Sequence, residues 1–344
     1  MSMRVFSHAP RDIWREVIAE SPSALPEHSP EWLDAITSSG RYEDASRLYE
    51  FRDGRRIVMP LVRRRGAPGG WLGSFPAGWG IGGPVGAGID ADAVRAIASD
   101  LAGVGAIRVS VRPDPLTGPM WADALDQFPV VALPKRAHVL DLSDGIDAVR
   151  ERLPAKGRRN IRTAQRKGVT VETDSTGRLL PQYYQLFLRS IDRWAGRQHE
   201  PLALARWRSQ RRDPIEKLYE VVEKMNGAAQ VSIAFVEGHP AAGTIVLHGR
   251  TAHYTRGSMD RELAGPTCAS VLAQWTAIEA AAAAGCTAYH MGDSGQSASL
   301  AAYKEQFGAR PFDYSEYRLE KLPVTRADIA LRSAVKRLLK FQDA

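Results

Sequence analysis

The sequence predicts an α+β protein made of two tandem copies of one unit, with mixed sheets flanked by helices. Three observations carry this expectation. The chain has 344 residues, enough for about two domains. Its strand-like runs come mostly as hairpins and not as a steady alternation of strand and helix. The order of patterns in the first half (helix, helix, hairpin, further strand and helix) returns in the second half.

The elements follow in order. Asp12–Glu20 reads as a short helix with Ile13, Trp14 and Val17 on one face. In SPEWLDAITSSG, Ser29 is the N-cap, Pro30 the first helical residue and Gly40 the stop. Residues 47–64 read as a hairpin, RLYEF and RIVMPLV around DGR. WLGSFPAGWGIGGPVGAGID is a Gly/Pro-rich stretch with aromatics. Ala91–Ala102 is a helix and IRVSVRP a strand. VVAL and HVLDL, parted by Pro134, read as a strand pair. Helical pattern resumes at Gly145–Arg152. Pro154 then starts the basic helix KGRRNIRTAQRKG, which Gly168 ends. VTVET is a strand, 181–196 a helix, and 201–225 one or two more, rich in Arg and Trp. AQVSIAFVEG and PAAGTIVLHGR make a hairpin around Glu237–Gly238, and TAHYTRGS is a further strand. The Ala-rich run 267–284 reads as one helix ended by Gly285. A strand (TAYHMGDS), a helix (LAAYKEQFG), a strand (EYRLEKL) and an amphipathic tail helix, Ala327–Phe341, complete the chain.

Composition bounds the function. A hydrophobic fraction of 44% and a charged fraction of 25% belong to an ordinary globular protein. The net charge of +7 favours an anionic partner, with an Arg-rich composition as the plainer explanation. Neither cysteine, Cys268 or Cys286, sits in a CxxC, so no zinc site or disulfide framework follows. The N-terminus is charged throughout and no run of about 18 apolar residues exists, so a cytoplasmic protein is expected. GWGIGG fits a dinucleotide fingerprint at Gly78, Gly80 and Gly83, but Pro84 follows where a helix is needed. GDSGQ carries Gln296 where a nucleophile elbow needs glycine. The scattered histidines show no metal-ligand spacing, and no metal is expected.

Several residues invite chemistry. Arg158, Arg162 and Arg166 stand at i, i+4 and i+8 on the basic helix, flanked by Lys156 and Arg159. Like charges at that spacing repel, so the stripe gains when an anion arrives. Ile161 and Ala164 form the opposite, docking side. Arg208 and Arg211, in RWRSQRR, either contact phosphate or belong to a solvated helix with Trp207 buried. Tyr254 and Arg256 lie two apart on one strand and share a face, either bordering a binding channel or, for Tyr254, packing in the core. Asp293 closes AYHMGD as a proton acceptor or as a turn residue. The tail puts Leu331, Ala334, Val335, Leu338 and Leu339 on one face, with Arg332, Lys336, Arg337 and Lys340 beside it. It is expected to dock on its own protein, with the inner face of a membrane as the alternative.

Four stretches together resemble one family: HSPEWLDAI, DGRRIVMPLVRRR with FPAGWGIGGP, LPAKGRRNIRTAQRKGVTVE, and YHMGDSGQSASLAAYKEQFGARPFDYSEYRL. Their order, from His28 to Leu319, resembles the FemABX aminoacyl-tRNA-dependent transferases and the wider FemAB-like acyltransferases of the GNAT superfamily. The resemblance implies two tandem GNAT-like domains. The first is 1–143, completed by 318–344, and the second, 144–317, carries the transfer site. It implies transfer of an aminoacyl or acyl group onto an amine, with Lys304 stabilising the oxyanion and Tyr303 lining the pocket; without the resemblance, Lys304 reads as a surface lysine of an amphipathic helix and Tyr303 as a core residue. It implies aminoacyl-tRNA as donor, held by Lys156, Arg158, Arg159, Arg162 and Arg166, with no cofactor. Acyl-CoA is the alternative donor, although DRELAGPTCAS lacks the usual pyrophosphate loop. The acceptor would be an amine-bearing peptide or cell-wall precursor. Where peptidoglycan members carry a phosphate-binding Lys, four residues after the tryptophan, this chain has Ile36. A monomer is expected. A non-catalytic RNA- or membrane-surface-binding protein of the same fold is the alternative from another class.

Overall fold

A computed structural model describes residues 3–67 and 69–338. Leu339 and Lys340 of the tail lie outside it, as do the side chains of Arg332, Val335, Lys336, Arg337 and Leu338. The first part of the chain forms β1 (Met3–Ser7), α1 (Arg11–Glu20), α2 (Pro30–Thr37), β2 (Tyr42–Asp44), β3 (Arg47–Phe51), β4 (Arg56–Met59), β5 (Val62–Arg64), β6 (Trp71–Gly73), α3 (Ala91–Gly103), β7 (Arg108–Val111), α4 (Gly118–Leu125) and β8 (Val131–Asp141). Then follow α5 (Gly145–Arg152), α6 (Ala155–Arg166), β9 (Thr170–Asp174), α7 (Leu180–Gln198), α8 (Leu202–Arg212), α9 (Ile215–Lys224), β10 (Ala229–Val236), β11 (His239–His248) and β12 (Ala252–Met259). The last elements are α10 (Arg261–Thr267), α11 (Ala269–Ala283), β13 (Ala288–Asp293), α12 (Ala298–Glu305), β14 (Arg310–Glu320) and α13 (Val324–Leu338).

Two compact units result: 1–137 with 312–329, and 138–311 with the segment from Ala330. The chain returns to the first unit at Phe312 and not at residue 318, because the returning strand already starts at Arg310.

In the first unit β1, β3 and β4 form a small sheet, and β2, β5, β6, β7 and β14 follow one another in a larger one. Its core gathers Tyr49, Ile57, Met59, Val94, Ile97 and Trp121. Ile36 is fully buried. The hairpin expected over 47–64 stops at Met59. Pro60 has no N–H to continue the ladder, and β5 instead pairs with β2 and β6. Strand β8 runs unbroken through Pro134, where two strands were expected. A proline fits a strand at a position whose N–H the ladder does not use. β1 and α4 carry no signal that the sequence reading used.

In the second unit the strand order is β8, β13, β12, β11, β10, β9. The β10–β11 turn has positive φ at Glu237 and Gly238, the geometry of a tight two-residue hairpin turn. On one face α6 and α11 bury Ile161, Ala164, Ala273 and Ala277 with Val246, Tyr289 and Phe307. On the other face α7 packs on β11 and β12. There Tyr183 and Leu186 close over Gly243. The Ala-rich helix is shorter than expected. Cys268, at φ 57°, takes a left-handed conformation after Pro266 and separates α10 from α11.

The tail departs from its expected docking. Its first turn is held by Glu320, which accepts from Thr325 N at 3.1 Å. Leu331, by contrast, stays 65% exposed, so the apolar stripe is not covered there.

Candidate functional site

The candidate site lies within the second unit, where two parallel strands part. β12 and β13 pair only at Ala252 with Tyr289 and at His253 with His290. Past those pairs β12 and β13 form no further ladder with each other among the described residues, while β12 stays paired to β11. At the end of β13, Gly292 adopts φ +69°, a left-handed turn that glycine takes without strain. That turn exposes two successive carbonyls, and Lys304 collects both. Its Nζ donates to Gly292 O at 2.6 Å and to Asp293 O at 2.7 Å.

Lys304 sits on α12, which Ser297 caps by accepting from Leu300 N at 3.3 Å. The side chain is fully buried. Burial pushes its ammonium down from 10.5 to about 8, opposed by the nearby Asp293 carboxylate. The amine therefore titrates close to neutral pH while closing the β13–α12 corner. Asp293 is half-buried at the mouth of the same corner.

The corner is fastened to the basic helix. Gly157 of α6 lies so near α12 that a Cβ there would stand 2.1 Å from Gln306 O. Asn160 Nδ2 donates to Gln306 Oε1 at 2.9 Å, and Gln306 Nε2 donates to Tyr303 O at 2.9 Å. This latch joins the GRRN stretch to the turn after Lys304. Lys156, Arg158, Arg159, Arg162 and Arg166 are all exposed on the opposite side of α6. Four of them, with Ala155 and Gln165, line a recess of about 560 Å³. Arg158 also donates to Leu153 O at 2.6 Å, which fixes its guanidinium at the helix start.

The other expected residues divide. Tyr303 is tied into the core: its hydroxyl donates to Ser270 O at 3.0 Å, and its ring meets Phe307 edge-on at 5.5 Å. Burial raises its phenol well above the ordinary range. Tyr254 packs against the core that contains Val246, with its hydroxyl over Gly257. Burial, and then the neighbouring Tyr303, likewise raise its phenol.

Arg256 does not share the face of Tyr254. The register runs Val246 with Tyr254 and Ile245 with Arg256, so Thr255 is an extra residue in β12. Directly paired residues point the same way and Ile245 and Val246 alternate, so the bulge turns Arg256 to the α7 side. There Arg256 meets the buried Asp213 at 2.6 Å, beside Lys217 at 2.9 Å and Arg212 at 2.7 Å. Burial opposes the charge on Asp213, yet Arg256 and Lys217 hold its carboxyl far below the usual range.

Arg208 and Arg211 remain on α8. Arg208 is held by the buried Glu200 at 2.8 Å. Arg211 lies over the Trp207 ring at 5.4 Å, and Trp207 is exposed, not buried as one reading of RWRSQRR had it.

Sequence reasoning missed four contributors. Gly157, Asn160 and Gln306 form the latch, and the buried His253 borders the corner. His253 Nε2 lies 3.8 Å from where a Cβ of Gly292 would stand. Only the approach of 157 to 306 in space reveals the latch, and only the nearness of β12 to the Gly292 turn reveals His253. Among the described residues no cluster of His, Cys, Asp and Glu is placed to hold a metal. No described helix is long and apolar enough to cross a membrane.

Residues 155–305, from α6 to α12, match the acetyltransferase (GNAT) domain family. Among solved structures, FemX matches with a TM-score of 0.66 at 12% identity, over 93% of this chain and 97% of that one. The C-terminal domain of an Agrobacterium fabrum protein described as a lysylphosphatidylglycerol synthetase matches with a TM-score of 0.53 at 12% identity. The match covers 94% of this chain and 95% of that one. No curated protein matches the chain by sequence.

Proposed function

Taking as premise that this chain is a GNAT-type acyltransferase of FemX-like fold, we propose that it moves an aminoacyl group from aminoacyl-tRNA onto the amine of a peptide. The observation that carries this reading is the cationic face of α6, latched at Gly157 and Asn160 to the helix that holds Lys304. A polyphosphate backbone supplies the anion that the arginine stripe lacks, and the latch links that contact to the reacting corner. The likeness in fold to a lysylphosphatidylglycerol synthetase, whose named product bears a lysyl group, also supports an aminoacyl donor.

The chemistry needs little from the protein. The amine nitrogen attacks the ester carbon, a C–N bond forms, and the tRNA hydroxyl leaves. The amine gives up a proton, which in this reading Asp293 at the mouth of the corner accepts and returns to the departing ribose oxygen. The charge of Lys304 favours the developing oxyanion. Its two bonds to the Gly292 and Asp293 carbonyls hold the corner rigid, so the ammonium acts from a fixed place. The amine-bearing acceptor is a peptide. Ile36, buried in the first unit, removes the phosphate-binding lysine expected for a nucleotide- or lipid-linked precursor.

A second reading, acyl-CoA as donor, is favoured by the parting of β12 and β13 beyond His253 and by the acetyltransferase family match. A donor assay separates the two. Purified protein is offered labelled aminoacyl-tRNA or labelled acyl-CoA with amine-bearing peptides. Transfer from acyl-CoA alone sinks the tRNA reading. In the tRNA reading, reversing Arg158 and Arg162 to Glu weakens tRNA binding and flattens its log-log salt dependence by about two units. An unmoved acceptor-stem affinity makes α6 purely structural.

A further inference from the structure

The α7–α8 hairpin exposes large apolar side chains that the reaction does not use. α7 ends at His199 in a left-handed conformation, and α8 folds back on it. Arg206 grips Asp192 at 2.6 Å, and Ala195 and Ala205 are buried. Four large apolar side chains of the hairpin are exposed: Trp194 (39%), Leu202 (41%), Leu204 (41%) and Trp207 (58%). Leu204, Trp207, Arg208 and Arg211 stand at i, i+3, i+4 and i+7, so they form one stripe on α8. Single exposed apolar residues are ordinary, but Leu204 and Trp207 stand one turn apart beside two arginines, which marks a contact stripe. The segment 189–213 holds seven arginines against Asp192, Glu200 and Asp213, a surplus of four that falls to three once Asp260, the partner of Arg189, is counted.

We propose that this hairpin anchors the protein on an anionic lipid surface. Trp207 and Leu204 enter the boundary between headgroups and acyl chains, and Arg211 beside them meets lipid phosphate. The pairing of Arg211 with the Trp207 ring keeps a cation level with the inserted indole. The chemistry of the stripe selects this occupant. Leu204 and Trp207 gain from an apolar boundary, and Leu204 gains nothing from a phosphate backbone, so the face suits a bilayer better than RNA. A second copy of the chain would bring an equal positive surface, and the two would repel.

Full-length protein is sedimented with vesicles of phosphatidylglycerol and phosphatidylcholine, and with phosphatidylcholine alone. Wild type pellets with the anionic vesicles only. L204S/W207S loses at least about tenfold in partition through lost apolar burial. Arg211→Glu, a surface change that keeps the apolar pair, also loses about tenfold or more through charge. Matching thermal midpoints show that both variants fold. Transfer to a soluble amine acceptor is unchanged in L204S/W207S, so the result stands apart from the donor question. The inference is overturned by any of four outcomes. Wild type fails to bind anionic vesicles, or neither variant weakens that binding. The third is a wild-type dimer that L204S/W207S disperses, and the fourth is bulk tRNA binding that this variant lowers while vesicle binding holds.

Discussion

Replacing Gly157 with alanine sets two forces against each other and lets the sign decide. Inside a helix, alanine is preferred over glycine by about 1 kcal/mol, so a helix standing apart would be stabilised. In this structure the added Cβ would lie 2.1 Å from Gln306 O and 3.2 Å from its carbonyl carbon. A carbon and an oxygen settle at about 3.3 Å or more, so the α6–α12 contact must open by about 1 Å. Both atoms met are backbone, so no side chain can swing aside. Overpacking of this kind costs about 1–3 kcal/mol. Opening also strains the 2.9 Å bond from Asn160 to Gln306. Losing that bond adds about 1 kcal/mol. The net expectation is a loss of about 1–3 kcal/mol. In a unit of this size that lowers Tm by about 3–9 °C. Calorimetry of wild type and Gly157→Ala measures it, and transfer kinetics follow the second consequence. Displacing α12 moves Lys304, so kcat falls more than KM rises. A Tm that rises in Gly157→Ala refutes the latch, because it means α6 behaves as a free helix.

Two further predictions concern buried charge. The Lys304 amine titrates near 8 in the folded chain and at 10.5 when exposed, so between these values the unfolded chain holds the extra proton. Stability due to this group therefore rises with pH across that window, by up to about 3 kcal/mol. Lys217 shares the window, with burial and then Arg256 lowering it to about 8, so the informative quantity is wild type minus Lys304→Met in urea titrations. A difference that stays flat from pH 7.5 to 9.5 removes the perturbed amine. Transfer by wild type should also decline above about pH 8, as Lys304 loses its charge. Asp213→Asn leaves Arg256, Lys217 and Arg212 around a neutral amide and should destabilise by about 3–5 kcal/mol. Chemical unfolding reads this directly, and a loss under about 1 kcal/mol would show the network to be solvated.

Much of the second unit was legible because its signals are local. The 3.6-residue period placed Ile161 and Ala164 inward and the arginines of α6 outward, and so they stand. Gly285 marked a real helix end and Glu237–Gly238 a real turn, as Ser29 marked a helix start in the first unit. The failures share a different cause. Strict alternation put Tyr254 and Arg256 together, but one bulged residue, Thr255, reverses the face, and nothing in the local sequence announces it. The break at Cys268 depends on one left-handed residue within an otherwise helical pattern. Lys304 was singled out by family likeness, yet its partners are carbonyls, which carry no residue identity to be read. The latch joins residues 160 and 306, and no window along the chain spans that distance.

The same contrast separates fold from function in α6. Arg158, Arg162 and Arg166 repel one another by a few tenths of a kcal/mol per pair, so the helix does not owe its stability to them. Its hold comes from buried Gly157, Ile161 and Ala164 and from Asn160 on Gln306. On α8 the arrangement is the reverse. Arg206 and Arg208 are held by Asp192 and Glu200, so their charges are spent in keeping the hairpin together. Arg162→Glu, which leaves the Arg158 bond to Leu153 O in place, should therefore hold or raise Tm by up to about 1 °C while weakening tRNA binding. Arg206→Ala should lower Tm and leave tRNA binding unmoved. If instead Arg162→Glu unfolds the unit with no change in tRNA affinity, the stripe is part of the scaffold and the donor reading loses its support.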